Sequence, residues 1–246
     1  MNDKGTALEK RSFESEKHEL SEPYNVMWQE SWPRVRAGGI TCDLGLADKA
    51  SDKRRGLTLI ARLEPHVTER LDHVLKTLSG IDSHQYYYPL ADIHLTILSL
   101  FTATENYGLH LERLDDYRDA VASVLKSSRS FLVDSAGLTL SRGAVMLQGF
   151  PRDATLNDLR DHLRSALVRS DLGDSLDQRY HLVTAHSTLL RFTSSLRTPE
   201  PFCAALSTFR NKFFGTSAIT SLELVFNDWY MSSGNLVKIG THHLRR

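Results

Sequence analysis

From residue 56 onward this 246-residue chain repeats itself, running twice through an order of strand, helix, strand, helix, strand. In the first pass Leu57–Leu63 reads as a strand between Gly56 and Pro65. Val67, Leu71, Val74, Leu75 and Leu78 then mark one helical face. A second strand, Ile93–Phe101, precedes a helix with Leu114, Tyr117, Ala120, Val121 and Val124 inward, and Phe131–Leu140 closes the unit. Ser141-Arg142-Gly143 reads as a hairpin turn into the second pass. That pass gives a strand Ala144–Phe150 and a helix carrying Leu156, Leu159, Leu163, Ala166 and Leu167. It continues with a strand Val183–Phe192, a helix over 200–211 and a strand Leu222–Phe226, before a turn at Ser232–Asn235 leads into Leu236–Ile239. The offsets agree: Leu59 to His94 spans 35 residues and Leu147 to His186 spans 39, while His94 to Leu132 spans 38 and His186 to Leu222 spans 36.

Such a duplication implies one α+β body, with two antiparallel-rich sheets facing a central cleft and helices outside. The expected organisation is a two-lobed domain over 56–246, with repeats at 56–140 and 141–246, preceded by an N-terminal extension over 1–55. That extension is rich in Glu, Lys, Ser and Arg, with helix-like stretches broken at Pro23, Pro33 and Gly38-Gly39. It is expected to pack Trp28 and Trp32 on the body and to begin loosely.

The second strand of each pass carries His-x-Thr, as His94-Leu95-Thr96 and His186-Ser187-Thr188. Residues two apart on a strand share a face, so each motif presents an imidazole beside a hydroxyl. Apolar neighbours on both sides point to central strands. With 11 His and 18 Thr in the chain, about one such motif is expected by chance, and three occur. The third, His66-Val67-Thr68, follows Pro65 at a helix start and reads as a first-turn feature. One isolated strand histidine is usually a packed residue with a backbone partner. Two in equivalent places, each with a hydroxyl two residues on, favour chemistry.

These paired motifs resemble those of the 2H phosphoesterase superfamily, which includes 2′-5′ RNA ligase-like proteins and cyclic nucleotide phosphodiesterases. The resemblance spans residues 56 to about 243. His94-Leu95-Thr96-Ile97 with Phe101 is similar to the first family motif, and His186-Ser187-Thr188-Leu189-Leu190-Arg191 to the second. The 55-residue extension and the tyrosine run before His94 depart from compact members. The resemblance implies a metal-independent phosphodiesterase with no cofactor, acting on a nucleotide or short RNA end that bears a 2′,3′-cyclic phosphate or a 2′-5′ linkage. His94 and His186 would share general acid and base roles, and Thr96 and Thr188 would hold the non-bridging oxygens. An unperturbed imidazole, with a pKa of ~6.5, suits both proton roles near neutrality.

Around this core, Tyr86 and Tyr88 are candidates for stacking a base, and Arg191 for a terminal phosphate. Arg191 sits an odd number of positions from Thr188 and on an ideal strand faces away from it, while a bend in the strand would bring its guanidinium to the phosphate. Phe101 and Phe192 read as core, His84 and His181 as loop histidines, and Trp229 and Tyr230 as filling the closing hairpin.

Lys+Arg and Asp+Glu both number 30, giving zero formal charge and arguing against a protein that coats long duplex nucleic acid. No apolar run approaches the ~20 residues of a membrane span, and the first residues lack a secretion-signal pattern. Cys42 and Cys203 are too few for a disulfide framework. A monomeric cytoplasmic protein without structural disulfides is the expectation. Two other readings stay open: a binding module of the same fold without turnover, and a metal site built from histidines, which would lack an accompanying carboxylate or cysteine pattern.

Overall fold

The computed structural model describes residues 5–176 and 181–246, with side chains from residue 21 onward in the first helix. Met1–Lys4, where the secretion-signal reading begins, lies outside the described residues. A first helix, α1 (Gly5–Arg36), is followed by β1 (Arg55–Ala61), α2 (Pro65–Ile81), the two-residue β2 (Tyr86–Tyr87) and β3 (Leu95–Thr104). Next come α3 (Gly108–Glu112), α4 (Leu114–Leu125), β4 (Phe131–Leu140), β5 (Ala144–Pro151) and α5 (Thr155–Arg169). The chain ends with β6 (Ser187–Arg191), α6 (Pro199–Thr208), β7 (Phe213–Ile219), β8 (Ser221–Asp228) and β9 (Val237–His243).

The strands form two antiparallel sheets, ordered β3-β1-β8-β9 and β2-β6-β5-β4-β7. Each sheet draws from both halves of the sequence. The cause is local: the short turn at Ser141–Gly143 joins antiparallel neighbours, so β4 must lie beside β5 and leave the sheet of β1 and β3. Correspondingly β8 pairs with β1 across the two halves. The helices follow the same exchange. Tyr117 and Val121 of α4 and Leu156, Leu159 and Leu163 of α5 bury against the first sheet. Val67, Leu71 and Leu78 of α2 and Phe202 and Leu206 of α6 bury against the second. Two apolar cores result, one beneath each sheet, and the hydrophobic effect ties each half to the other.

Three expectations need correction. The breaks foreseen at Pro23 and Pro33 do not occur, since α1 runs through both prolines and stops just before Gly38, whose φ of 81° is the left-handed conformation that suits a glycine after a helix. Tertiary contacts override the two missing donors: Tyr24 and Val35 are fully buried, Thr139 Oγ1 donates to the Tyr24 carbonyl, and the stacked Trp28 and Trp32 pack on the second core. Secondly, β3 is the outer strand of its sheet and not a central one; its apolar residues are buried on the sheet faces and say nothing of edges. Thirdly, β3 and β6 begin one residue after their histidines, so His94 and His186 stand at strand entrances. The strand β7, between α6 and β8, was not foreseen. No described helix is long and apolar enough to cross a membrane, and both cysteines are free.

Candidate active site

β-Bulges decide what this site displays. Opposite β1, Leu57, Thr58, Leu59 and Ile60 meet Phe101, Ser99, Leu98 and Thr96, leaving Leu100 and Ile97 as extra residues. Each bulge flips the alternation, so β3 reads buried-buried-open with a period of three. Thr96, Ser99 and Thr102 consequently share one face. In β6 the partners Val145–Leu190 and Met146–Thr188 leave Leu189 extra in the same way. Thr188 and Arg191, three apart, therefore end on one side, which corrects the expectation for an ideal strand.

A cavity of about 200 Å³ between the sheets is lined by His94, Thr96, His186, Thr188, Tyr88 and Arg191. Ser99, Asn227 and Trp229 also reach it. Trp229, expected in the closing hairpin, is thus a wall of the cavity. Tyr86 is outside the lining and sits edge-on to Tyr88, with ring centroids 5.0 Å apart. His66 and Thr68 lie at the first turn of α2, where Thr68 Oγ1 donates to the Pro65 carbonyl. Phe101 and Phe192 are core, as expected.

Both histidines are half-buried, and each is held through Nδ1 by the residue two positions earlier. His94 Nδ1 lies 2.7 Å from the Asp92 carbonyl oxygen. A carbonyl only accepts, so Nδ1 carries the proton and the neutral ring keeps its lone pair on Nε2. His186 Nδ1 lies 2.8 Å from Thr184 Oγ1, which can donate or accept. Either neutral tautomer of His186 is therefore satisfied. Burial pushes both imidazoles down to about 4, with the Asp92 carbonyl opposing the shift at His94. At His186 the positive charge of Arg160, and that of His94 when protonated, add to burial in disfavouring its protonated form.

Sequence reasoning missed the residue that joins the two segments. Arg160 of α5 is 1% exposed. Its Nε donates to the Ile97 carbonyl at 2.9 Å and Nη2 to that of Thr96 at 3.1 Å. The same guanidinium donates to the carbonyls of Val183 and Thr184, at 3.2 and 2.9 Å. One cation thus satisfies the exposed edge of β3 and the approach to His186 together. A signal did exist: Arg160 falls inside the apolar stripe of α5, four residues after Leu156 and three before Leu163. From α1, the buried Tyr24 hydroxyl accepts from the Ala185 N–H at 3.0 Å and donates to the Gly149 carbonyl at 3.1 Å.

The rim is built by the segment after α1. Arg191 Nε donates to Tyr88 Oη at 3.0 Å, and its Nη1 stands 3.5 Å from Asp43 Oδ2. Tyr230 donates its hydroxyl to Asp43 Oδ1 at 3.0 Å. Lys49 Nζ donates to Tyr86 Oη at 2.9 Å and lies over the rings of Tyr86 and Tyr230.

Comparison with solved structures reveals the same architecture. TT0787 of Thermus thermophilus aligns over 77% of this chain and 98% of its own, with a TM-score of 0.58 and 17% identity. E. coli LigT, crystallised with 3′-AMP, aligns over 79% and 99%, with a TM-score of 0.53 and 18% identity. A structure described as a phosphoesterase aligns over 79% and 99%, with the same TM-score and identity. The fold is the one these structures share. No family model and no curated protein matches the sequence. The likeness is therefore one of three-dimensional arrangement.

Proposed function

We propose that the chain is a phosphodiesterase acting on a nucleotide or short RNA end that carries a 2′,3′-cyclic phosphate or a 2′-5′ linkage, through its two histidines. The observation that carries this reading is the convergence of both His-x-Thr motifs on one cavity. LigT, a protein of this fold, has been crystallised with 3′-AMP, which supports a nucleotide ligand.

His94, with its lone pair held on Nε2, takes a proton from the attacking water or hydroxyl. His186, with a neighbour that accommodates either tautomer, delivers a proton to the leaving oxygen. Thr96 and Thr188 donate to the non-bridging oxygens, where charge grows in the transition state. Arg191, half-buried beside Tyr88 and Asp43, adds a fixed positive charge at the cavity wall. Ligase activity is the same proton exchange run in reverse.

The depressed imidazoles set the pH dependence. The reactive free enzyme carries one proton on the pair, and both rings titrate near 4, so kcat/KM follows a bell centred on the acid side of neutrality. The test is a panel of 2′,3′-cyclic nucleotides and 2′-5′ dinucleotides, with products resolved as 2′- or 3′-phosphates and excess EDTA in parallel. Turnover that persists in EDTA with an acid-side optimum is expected. Binding without turnover of any member would make the protein a recognition module instead.

A further inference from the structure

We propose that Tyr24 of α1 is a positioning residue: its hydroxyl stands in for a ladder hydrogen bond between β5 and the approach to β6, and thereby sets where the His186 imidazole lies. This rests on the proposed function, in which His186 moves a proton, and it adds the N-terminal helix to the working parts of the site.

The approach to β6 lies beyond the sheet ladder. β6 begins at Ser187, and its last rung with β5 sets Leu147 opposite Ser187. Continued two residues further on each segment, the same register sets Gly149 opposite Ala185. The groups that would close that rung are joined through Tyr24 instead. The Ala185 N–H donates to the Tyr24 hydroxyl at 3.0 Å, and the hydroxyl donates to the Gly149 carbonyl at 3.1 Å. The Gly149 N–H adds a longer bond to the same oxygen at 3.4 Å, which fills the donor and both acceptor positions of the phenol. A Cβ at position 149 would collide with the Ala185 carbonyl oxygen, so glycine is what lets the two segments pass this closely.

Two clamps therefore hold the residues before His186. Arg160 takes the carbonyls of Val183 and Thr184, and Tyr24 takes the N–H of Ala185. Between them Thr184 Oγ1 lies 2.8 Å from His186 Nδ1, so whatever fixes residues 183–185 fixes the ring. Tyr24 is itself fixed: it is wholly buried, and its carbonyl accepts from Thr139 Oγ1 at 2.9 Å. Burial pushes its hydroxyl up to about 12, which keeps it protonated and donating through any ordinary assay.

The experiment uses Tyr24→Phe in the full chain, which removes one oxygen and keeps the ring. The His94 and His186 ring resonances are followed by NMR through a pH titration, beside steady-state kinetics on the best substrate of the panel. Arg160, His94 and Arg191 are the groups whose charge reaches His186, and the substitution alters none of them. The His186 resonances and midpoint are expected to move, while those of His94, held by the Asp92 carbonyl, stay in place. A fall in kcat of about 10²-fold with KM changed far less is expected alongside, the cost of a misplaced catalytic group. Thr139→Val is the control, since it loosens the seat of α1 and leaves the Tyr24 hydroxyl: stability falls and His186 is unmoved. Should Tyr24→Phe fail to fold, 3-fluorotyrosine at position 24 keeps ring and hydroxyl and alters the strength of the bonds, and His186 is expected to move more than His94. An unmoved His186, equal movement of both rings, or an equal effect of Thr139→Val overturns the inference. So does an unchanged kcat beside a moved ring. A wild-type protein that turns over no substrate sinks the catalytic reading, and the NMR comparison still decides the placement of the ring; turnover with His186 unmoved sinks only the role of Tyr24.

Discussion

In the segment entering β3 the imidazole leans on a main-chain carbonyl, whereas in the segment entering β6 it leans on a threonine hydroxyl. Otherwise the two run in parallel. Each has its Nδ1 partner two residues before the histidine, a threonine two residues after it, and a bulge that brings the residue three further on to the same face. That third residue is Ser99 in one segment and Arg191 in the other. A duplicated scaffold can thus hold two imidazoles alike and still give them different proton chemistry, because the difference lies in what touches Nδ1. One ring is locked with its lone pair inward; the other keeps a choice of tautomer.

The comparison breaks first at the rings themselves. His94→Ala and His186→Ala are each expected to lower kcat by about 10³-fold, the scale of a lost general acid or base, in steady-state assays on the best substrate of the panel. Full activity in either variant removes its ring from the mechanism. A smaller effect tests the symmetry of the hydroxyls. Thr96→Val and Thr188→Val are each expected to cost about 10²-fold in kcat, with KM changed far less. A loss confined to one of them means that only one segment holds the phosphoryl oxygens.

Thr184→Val sharpens the asymmetry at still lower cost. Valine leaves His186 without its Nδ1 partner while His94 keeps its own, so a loss of about tenfold in kcat is expected, with the pH limb assigned to His186 displaced and that of His94 unmoved. Displacement of both limbs would mean the rings are not independently held. The least effect is on stability. Burial holds both folded-state imidazoles near 4, below the ~6.5 of an unfolded chain. Between about pH 6.5 and 4 the unfolded state binds more protons, so stability falls as pH falls through that window. Denaturant titrations at pH 7 and pH 5 are expected to show this loss, and His94→Gln or His186→Gln to reduce it. An undiminished loss in both variants contradicts the burial account.

Much of this molecule was legible in the residues because hydrophobic period and turn chemistry are local. The hairpin of β4 and β5, the apolar faces of α2 and α5, and the twin motifs all follow from spacing alone. What escaped was non-local. That the third strand of each half crosses to the sheet of the other is a property of pairing, visible in the sequence only as the short turn at Ser141–Gly143. β7 is interrupted by Gly215, at φ 133°, and reads as linker without its partner β4. Arg191 was named as a phosphate candidate, but the bulge that turns it toward the cavity was not legible, since a single extra residue reverses every later side chain. The continuous α1 shows packing overriding two prolines. Arg160 was hidden because a helix arginine normally signals solvent, and only the fold supplies four carbonyls to receive it.

The central claim is that His94 and His186 face one phosphorus across a shared cavity. It is tested most directly by following both ring resonances by NMR through a pH titration, with and without a bound nucleoside monophosphate. The account predicts two imidazoles that stay neutral well below pH 6 in the free protein and that both titrate upward when the phosphate arrives. An ordinary midpoint near 6.5 for either free ring, or a ligand that moves one ring and leaves the other untouched, would contradict it.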